Sequence, residues 1–427
     1  MPDRSLDRRE FLAKSSLSAA AVVPIGTLAR FAGLAGSGRP QEDWVRAARN
    51  EIPASTESSY FQTGGVGPSS RRTMAEVAEK LHFQNRGPAD PRYSGTMAQI
   101  EPGLRSYLAS VFGVGQDGVA LTHSTSEGIS IAAWSQNWMP GDEVIVSNQE
   151  HPANVVPWYV LRDRFGIVMR EINLDAGTDL IHEVRQALSS RTRMVSISHV
   201  SRNNGRRVRT DESAALGELL RSRDIVYHLD GAQGPGCVDV DFSALGCDCY
   251  STCGHKWLLG PKGTGAFFVR EDMLDRIQLS WAGSHSHATM DYEGSYSLLP
   301  SAARYEFGTR ALADFAGFHT AVSWMEELGF DRVLTRIQHL VTHAVDVVDA
   351  RSEVQLASPR AEQDRSGVFV LRLPSGCDAT EVYNRLADER NILSSPVRQA
   401  GDLRLAVHFF NTEDEIDAAM DAVAALC

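Results

Sequence analysis

Lysine is nearly missing from this sequence. Lys and Arg together number 42, yet only Lys14, Lys80, Lys256 and Lys262 are lysine. Arginine stays protonated in proteins, so chemistry that needs a deprotonatable amine must draw on these four. Lys14 falls in an N-terminal targeting pattern. Lys80 falls in RRTMAEVAEKLHFQ, which reads as an amphipathic surface helix. The other two share one stretch, TCGHKWLLGPKGTG at 252–265. Lys262, between Pro261 and Gly263, reads as a loop residue. Lys256 stands against Trp257-Leu258-Leu259, where a free ammonium group would be costly to bury.

Long basic runs are also absent, and the net charge is -12. No nucleic-acid partner is expected. After residue 35 no apolar stretch is long enough to span a membrane. The six cysteines lack the two spaced pairs of a structural zinc site, so no metal is expected. Most of them read as small buried apolar residues. Cys247 and Cys249 alternate in a strand pattern, which puts them on one face.

The 427 residues are 43% hydrophobic, enough for a large core. Arg8-Arg9, then Phe11-Leu12, an apolar region at 17–28 and small residues Gly33 and Ala35 resemble a twin-arginine export signal. The expectation is a signal segment at 1–35, the twin-arginine machinery as a partner, and a periplasmic or extracellular location. The alternative is a cytoplasmic protein with a basic N-terminus. A linker and helix follow at 36–60.

From 118 onward strand and helix patterns alternate. Strands read at 118–124, 142–148, 167–174, 193–200, 224–231 and 265–270. Helices read at 71–85, 97–112, 125–138, 152–166, 178–189 and 211–223. This βαβα rhythm predicts an α/β fold with a mostly parallel sheet covered on both faces. The register changes after about 310. The expected division is a large domain at 61–315 and a smaller α/β domain at 316–427.

In open α/β sheets, ligands bind beyond the carboxyl ends of the strands. Thr125-Ser126-Glu127-Gly128 follows one strand and opens a helix, which suits an anion. His151 follows the next strand. Asp230 ends an apolar strand, and a carboxylate there needs a cationic partner. Lys256, in its apolar setting, suits a Schiff base. A phosphate, a ring to stack on His151, a protonated ring nitrogen for Asp230 and an aldehyde for Lys256 together describe pyridoxal 5′-phosphate (PLP).

The motifs TGGVGP, STSEGI, EHPANVVPW, SHVS, DGAQG, GHKWLLGPKGTG, YEFGTR and LRLAVHFFNTEDEID occur in the order seen in the class V aminotransferases. The chain resembles that family from about residue 57 to its C-terminus. The family includes cysteine desulfurases, selenocysteine lyases and isopenicillin N epimerases. The resemblance implies a fold-type I PLP-dependent transferase fold. It makes Lys256 the Schiff-base lysine, Asp230 the partner of the ring nitrogen and His151 the stacking residue. Gln233 would contact the ring hydroxyl, and Thr125, Ser126 and His255 would hold the phosphate. Thr309 would reach the phosphate in a neighbouring subunit, which implies a homodimer. Arg404 would bind the carboxylate of an amino-acid substrate.

Two positions depart from the family pattern. Arg202 stands where many relatives carry asparagine, leaving Asn203 or Asn204 to make the ring-hydroxyl contact. Cys253 stands where a phosphate-binding serine is common. The stretch NILSSPVRQAGDLRL holds no cysteine, against a persulfide route. The expected reaction removes the α-proton of an amino acid held as an external aldimine, with Lys256 as base. It is aminotransferase-like; epimerisation or C–S β-elimination is the alternative. A PLP-fold binding protein without turnover is the further alternative. His285 and His287 fall in a glycine- and serine-rich segment that reads as an active-site loop.

Overall fold

The computed structural model describes residues 40–397 and 401–427. The twin-arginine pattern, with Arg8, Arg9 and Ala35, lies outside the described residues. The helix Pro40–Glu51 comes first. Residues Ala48–Cys427 form one unit that holds both main sheets.

The larger sheet has seven strands. In spatial order they are Val119–Thr122, Gly265–Val269, Cys249–Cys253, Val226–Asp230, Thr192–Ser198, Glu143–Ser147 and Val168–Ile172. The last five are parallel to one another, and Gly265–Val269 runs antiparallel to both of its neighbours. The sheet is therefore mixed and mostly parallel. Its inner strands are apolar on both sides because both faces are covered. Met194, Val226, Cys249 and Phe267 enter one core cluster. Their sequence neighbours Val195, Tyr227, Tyr250 and Phe268 enter the other. The period of two along a strand makes this division.

The second sheet has four antiparallel strands: Gln355–Leu356, Val368–Arg372, Asp402–Ala406 and Ser395–Val397. Helices Phe330–Asp349, Ala379–Arg390 and Glu413–Leu426 pack with it. The short strand Ser59–Tyr60 pairs with Ile392–Leu393, and Ala406 N–H donates to Phe61 O at 2.9 Å. The segment leading to Gly64 and Gly65 is thus tied to the second sheet.

Several local expectations change. The helix expected at 97–112 is Ile100–Phe112, and a further short helix, Pro91–Met97, precedes it. The helix expected at 125–138 is Thr125–Ala133, and Trp138 Nε1 donates to the Ala133 carbonyl at 2.7 Å just beyond its end. Cys247 and Cys249 do not share a face. The strand starts at Cys249, and the two thiols enter opposite core clusters. The glycine- and serine-rich segment at 283–296 that holds His285 and His287 is more than a loop: His287–Met290 and Tyr296–Leu298 form an antiparallel hairpin. His285 lies exposed before it.

The cysteines divide into two kinds. Cys237, Cys247, Cys249 and Cys253 are free and buried, as their apolar settings imply. Cys377 and Cys427 form a disulfide that spans 50 residues of sequence. Neither has a local spacing signal, because the second sheet and its helices bring them together.

Candidate active site

The loops beyond the carboxyl ends of the parallel strands border a cavity of about 250 Å³. Eight of the residues singled out in the sequence line it: Thr125, Ser126, His151, Asp230, Gln233, His255, Lys256 and Arg404. They come from six separate loops and strands. The topology of the larger sheet brings seven of them to one edge, and the second sheet adds Arg404.

Ser124 caps the helix Thr125–Ala133 and accepts from Glu127 N–H at 3.4 Å. The first turn of that helix offers free N–H groups to an anion. Thr125 Oγ1 and His255 Nδ1 are buried and meet no nitrogen or oxygen partner among the described residues. The Cys253 thiol lies by Thr125 and is a weak donor. Two orphaned polar atoms beside a helix start fit a phosphate group.

Asp230 is 3% exposed at the end of its strand. One of its oxygens accepts from Ala232 N–H at 2.9 Å. Burial raises its pKa, while the Ala232 N–H and the nearby Lys256 oppose the rise. A buried carboxylate with an unfilled lobe suits a protonated ring nitrogen. His151 caps the turn Pro152–Asn154, and its Nδ1 accepts from Ala153 N–H at 3.0 Å. Its proton therefore sits on Nε2. Burial, then the charges of Lys256, Arg202 and Arg404, lower its pKa to about 4. At neutral pH it presents an uncharged ring.

Gln233 is held at both ends of its amide. Nε2 donates to the Gly64 carbonyl at 2.8 Å, and Oε1 accepts from Trp257 Nε1 at 2.6 Å. The apolar run after Lys256 has the same anchoring role. Trp257, Leu258 and Leu259 are at most 1% exposed, so they fix the backbone while Lys256 borders the cavity. Burial lowers the Lys256 pKa, with smaller opposing effects from Cys253 and Asp230. Gly67 N–H donates to the His255 carbonyl at 2.7 Å. A Cβ at Gly67 would lie 2.0 Å from the Lys256 carbonyl oxygen, so only glycine fits there.

Arg404 enters from the second sheet on the strand Asp402–Ala406 and is 4% exposed. Its Nε is buried without a partner. Burial, then the charge of Arg202, lowers its pKa to about 10. Arg404 remains a cation at neutral pH.

Two of the residues singled out lie elsewhere. Asn203 does not line this cavity. Its side chain donates to the Gln149 carbonyl at 3.2 Å and borders a neighbouring cavity with Asp175 and Arg372. The chain turns after Ser201, so Arg202 faces the cavity and Asn203 faces away. Thr309 is exposed and does not line the cavity of its own chain.

A buried polar network behind the cavity was not singled out in the sequence. Glu150 accepts from Ser198 N–H at 2.9 Å, Ser198 Oγ at 2.7 Å and Asn154 Nδ2 at 2.7 Å, and also bonds Ser147. Asn154 continues to Ser196, and Ser196 to His228 at 2.8 Å. His228 reaches Ser251 at 2.8 Å. Burial raises the Glu150 pKa to about 7; its hydroxyl and amide donors oppose this, and Asp230 adds to it. The network holds the turn that carries His151. Its trace in the sequence is the set of polar residues inside otherwise apolar strands.

The fold and this edge define a PLP-dependent enzyme of fold type I. The family model for "Aminotransferase class-V" matches residues 76–418. The chain belongs to that family. It is 30% identical over 403 residues to isopenicillin N epimerase of Streptomyces clavuligerus, covering 90% of this chain and 98% of that one. It is 24% identical over 391 residues to a probable cysteine desulfurase of Methanothermobacter thermautotrophicus, covering 86% and 94%. Among solved structures, a mutant of C-DES with glycine covalently linked to its PLP cofactor superposes with a TM-score of 0.83. That pair is 23% identical, with 89% and 99% of the two chains covered. The cystine C–S lyase C-DES with cysteine persulfide gives a TM-score of 0.82 at 24% identity, covering 88% and 99%. PLP is the cofactor of the family and fits the groups that line the cavity.

Proposed function

We propose that this enzyme removes the α-proton of an amino acid joined to PLP and works as an aminotransferase. When bound, PLP supplies the electron sink that makes the α-proton acidic. The supporting observation is the set of groups around the cavity. Lys256 is the amine placed to take a proton, and burial favours its neutral form. The acceptor nitrogen of His151 is already used by Ala153 N–H. Lys256 would therefore be the group that takes and returns the proton. Asp230 pairs with the ring nitrogen. Thr125, Ser126, His255 and the helix start hold the phosphate. Gln233 has one amide hydrogen left for the ring hydroxyl. Arg404 binds the substrate carboxylate.

Epimerisation is the second reading, supported by the likeness to isopenicillin N epimerase along nearly the full chain. A persulfide route lacks support. No cysteine lies in 391–405, and burial raises the pKa of the cavity thiol Cys253. The test incubates PLP-loaded enzyme with a panel of L- and D-amino acids in deuterated water. Oxo-acid formation with α-deuteration supports aminotransfer. Inverted product supports epimerisation, and released sulfide supports C–S cleavage. Absence of α-exchange across the panel overturns the proposal.

We further propose export by the twin-arginine route and a homodimer in which Thr309 serves the neighbouring site. The Cys377–Cys427 disulfide favours an oxidising compartment. Fractionation of the native host that finds the chain only in the cytoplasm would overturn export.

A further inference from the structure

The cavity holds one more cation than the proposed chemistry uses. Arg202 lines it together with Arg404. Among the described residues, neither guanidinium has an ion pair or hydrogen bond to protein. Arg404 is 4% exposed and its Nε is an orphaned buried donor. Arg202 is half-buried. Among the described residues no carboxylate pairs with either guanidinium, and Arg202 disfavours the charge on Arg404 and on His151.

Burying two like charges without a counter-ion is costly unless a ligand supplies the anion. Asp230, the carboxylate bordering the same cavity, is assigned to the ring nitrogen. One substrate carboxylate satisfies Arg404. Arg202 then still lacks a partner. The fork of a guanidinium matches a carboxylate through two parallel hydrogen bonds.

We propose that Arg202 is a specificity residue that binds a second anionic group, so that the substrate is an amino acid with an acidic side chain. The proposal rests on the PLP-dependent amino-acid chemistry above. Both cations border a cavity of about 250 Å³ that the cofactor shares, so the two anions of the substrate are a few bonds apart. Arg202 follows the strand Thr192–Ser198, and Arg404 comes from the second sheet. The two anions are therefore held by cations from two separate elements that meet at one cavity.

The test uses unreactive acids on the PLP-loaded full chain. Succinate and glutarate are compared with butyrate and pentanoate of matched length. Dissociation constants come from calorimetry and from changes in the visible band of the bound cofactor. A charge-assisted hydrogen bond contributes on the order of tenfold to a hundredfold in affinity. Wild type is expected to favour the dicarboxylates by at least about tenfold. In Arg202→Gln the ratio is expected to fall to near one, and Arg202→Lys is expected to keep part of it. Arg404→Gln is expected to weaken both acids. A wild-type ratio near one overturns the proposal. So does a ratio unchanged in Arg202→Gln with a shifted pH midpoint of the cofactor band, because Arg202 then serves the ring hydroxyl. If Arg202→Gln fails to fold, the wild-type ratio and Arg202→Lys decide. A wild type that shows no cofactor band at all removes the PLP reading instead, and the two failures stay distinct.

Discussion

Breaking the Cys377–Cys427 bridge tests how the second sheet and its helices are held together. Cys377 precedes the helix Ala379–Arg390, and Cys427 ends the chain after Glu413–Leu426. The closed loop spans 50 residues and includes the strand that carries Arg404. Chain-entropy arithmetic for a loop of that length gives about 4 kcal/mol of stabilisation through the unfolded state. The Cys377→Ser, Cys427→Ser double variant is expected to lose about that much. Guanidinium unfolding of the oxidised wild type, the reduced wild type and the double variant reads it. The reduced wild type is expected to match the variant. Thiol counting supplies a second reading. After oxidation and unfolding without reductant, Cys237, Cys247, Cys249 and Cys253 are expected to react, and the other two only after reduction. In the folded state the four free thiols are buried and are expected to react slowly. Six reactive thiols in the oxidised, unfolded chain would refute the bridge. Equal stability of oxidised and reduced protein would refute the energetic reasoning.

Other outcomes follow from the same residues. Lys256→Ala is expected to lower α-deuterium exchange by about 10²–10⁴-fold, read by NMR with each variant first loaded with PLP. Gly67→Ala places a methyl group 2.0 Å from the Lys256 carbonyl oxygen. It is expected to cost about 2–3 kcal/mol or more and to weaken cofactor retention, read by melting and by the visible band. Buried His199, His228 and His408 have pKa values lowered by burial to about 4, about 3 and about 4. Their sign is that of neutral burial: stability is fully present above about pH 6.5 and is lost as pH falls and the unfolded chain takes up protons. Each contributes about 1.4 kcal/mol per pH unit in that window. Glu150, raised to about 7, acts with the opposite sign because the folded state holds its proton first. The net expectation is a stability of the PLP-free protein that falls between pH 6 and 5. A flat denaturation midpoint over that range would contradict the assignment of three buried neutral histidines.

How much of the site was legible can be judged from particular residues. Lys256 stood out because lysine is scarce and its neighbours are apolar. Asp230 and Thr125 stood out because strand ends and helix starts face the ligand edge in parallel sheets. These signals are local, and one stretch of sequence holds each. Asn203 and Arg202 were harder. Which of two adjacent side chains enters a cavity depends on the turn after Ser201, and composition says nothing about that turn.

The sequence by itself determined the alternation of elements, the mostly parallel sheet and the chemical types that gather at its edge. Hydrophobic periodicity and glycine placement are enough for those, since they act over a few residues. Only the tertiary structure decided the rest. It set Arg202 beside Arg404, linked Glu150 to His228 through Asn154 and Ser196, and joined Cys377 to Cys427. Each of these depends on residues far apart in the chain. Their geometry is fixed by how two sheets and their helices pack, and no local pattern encodes it.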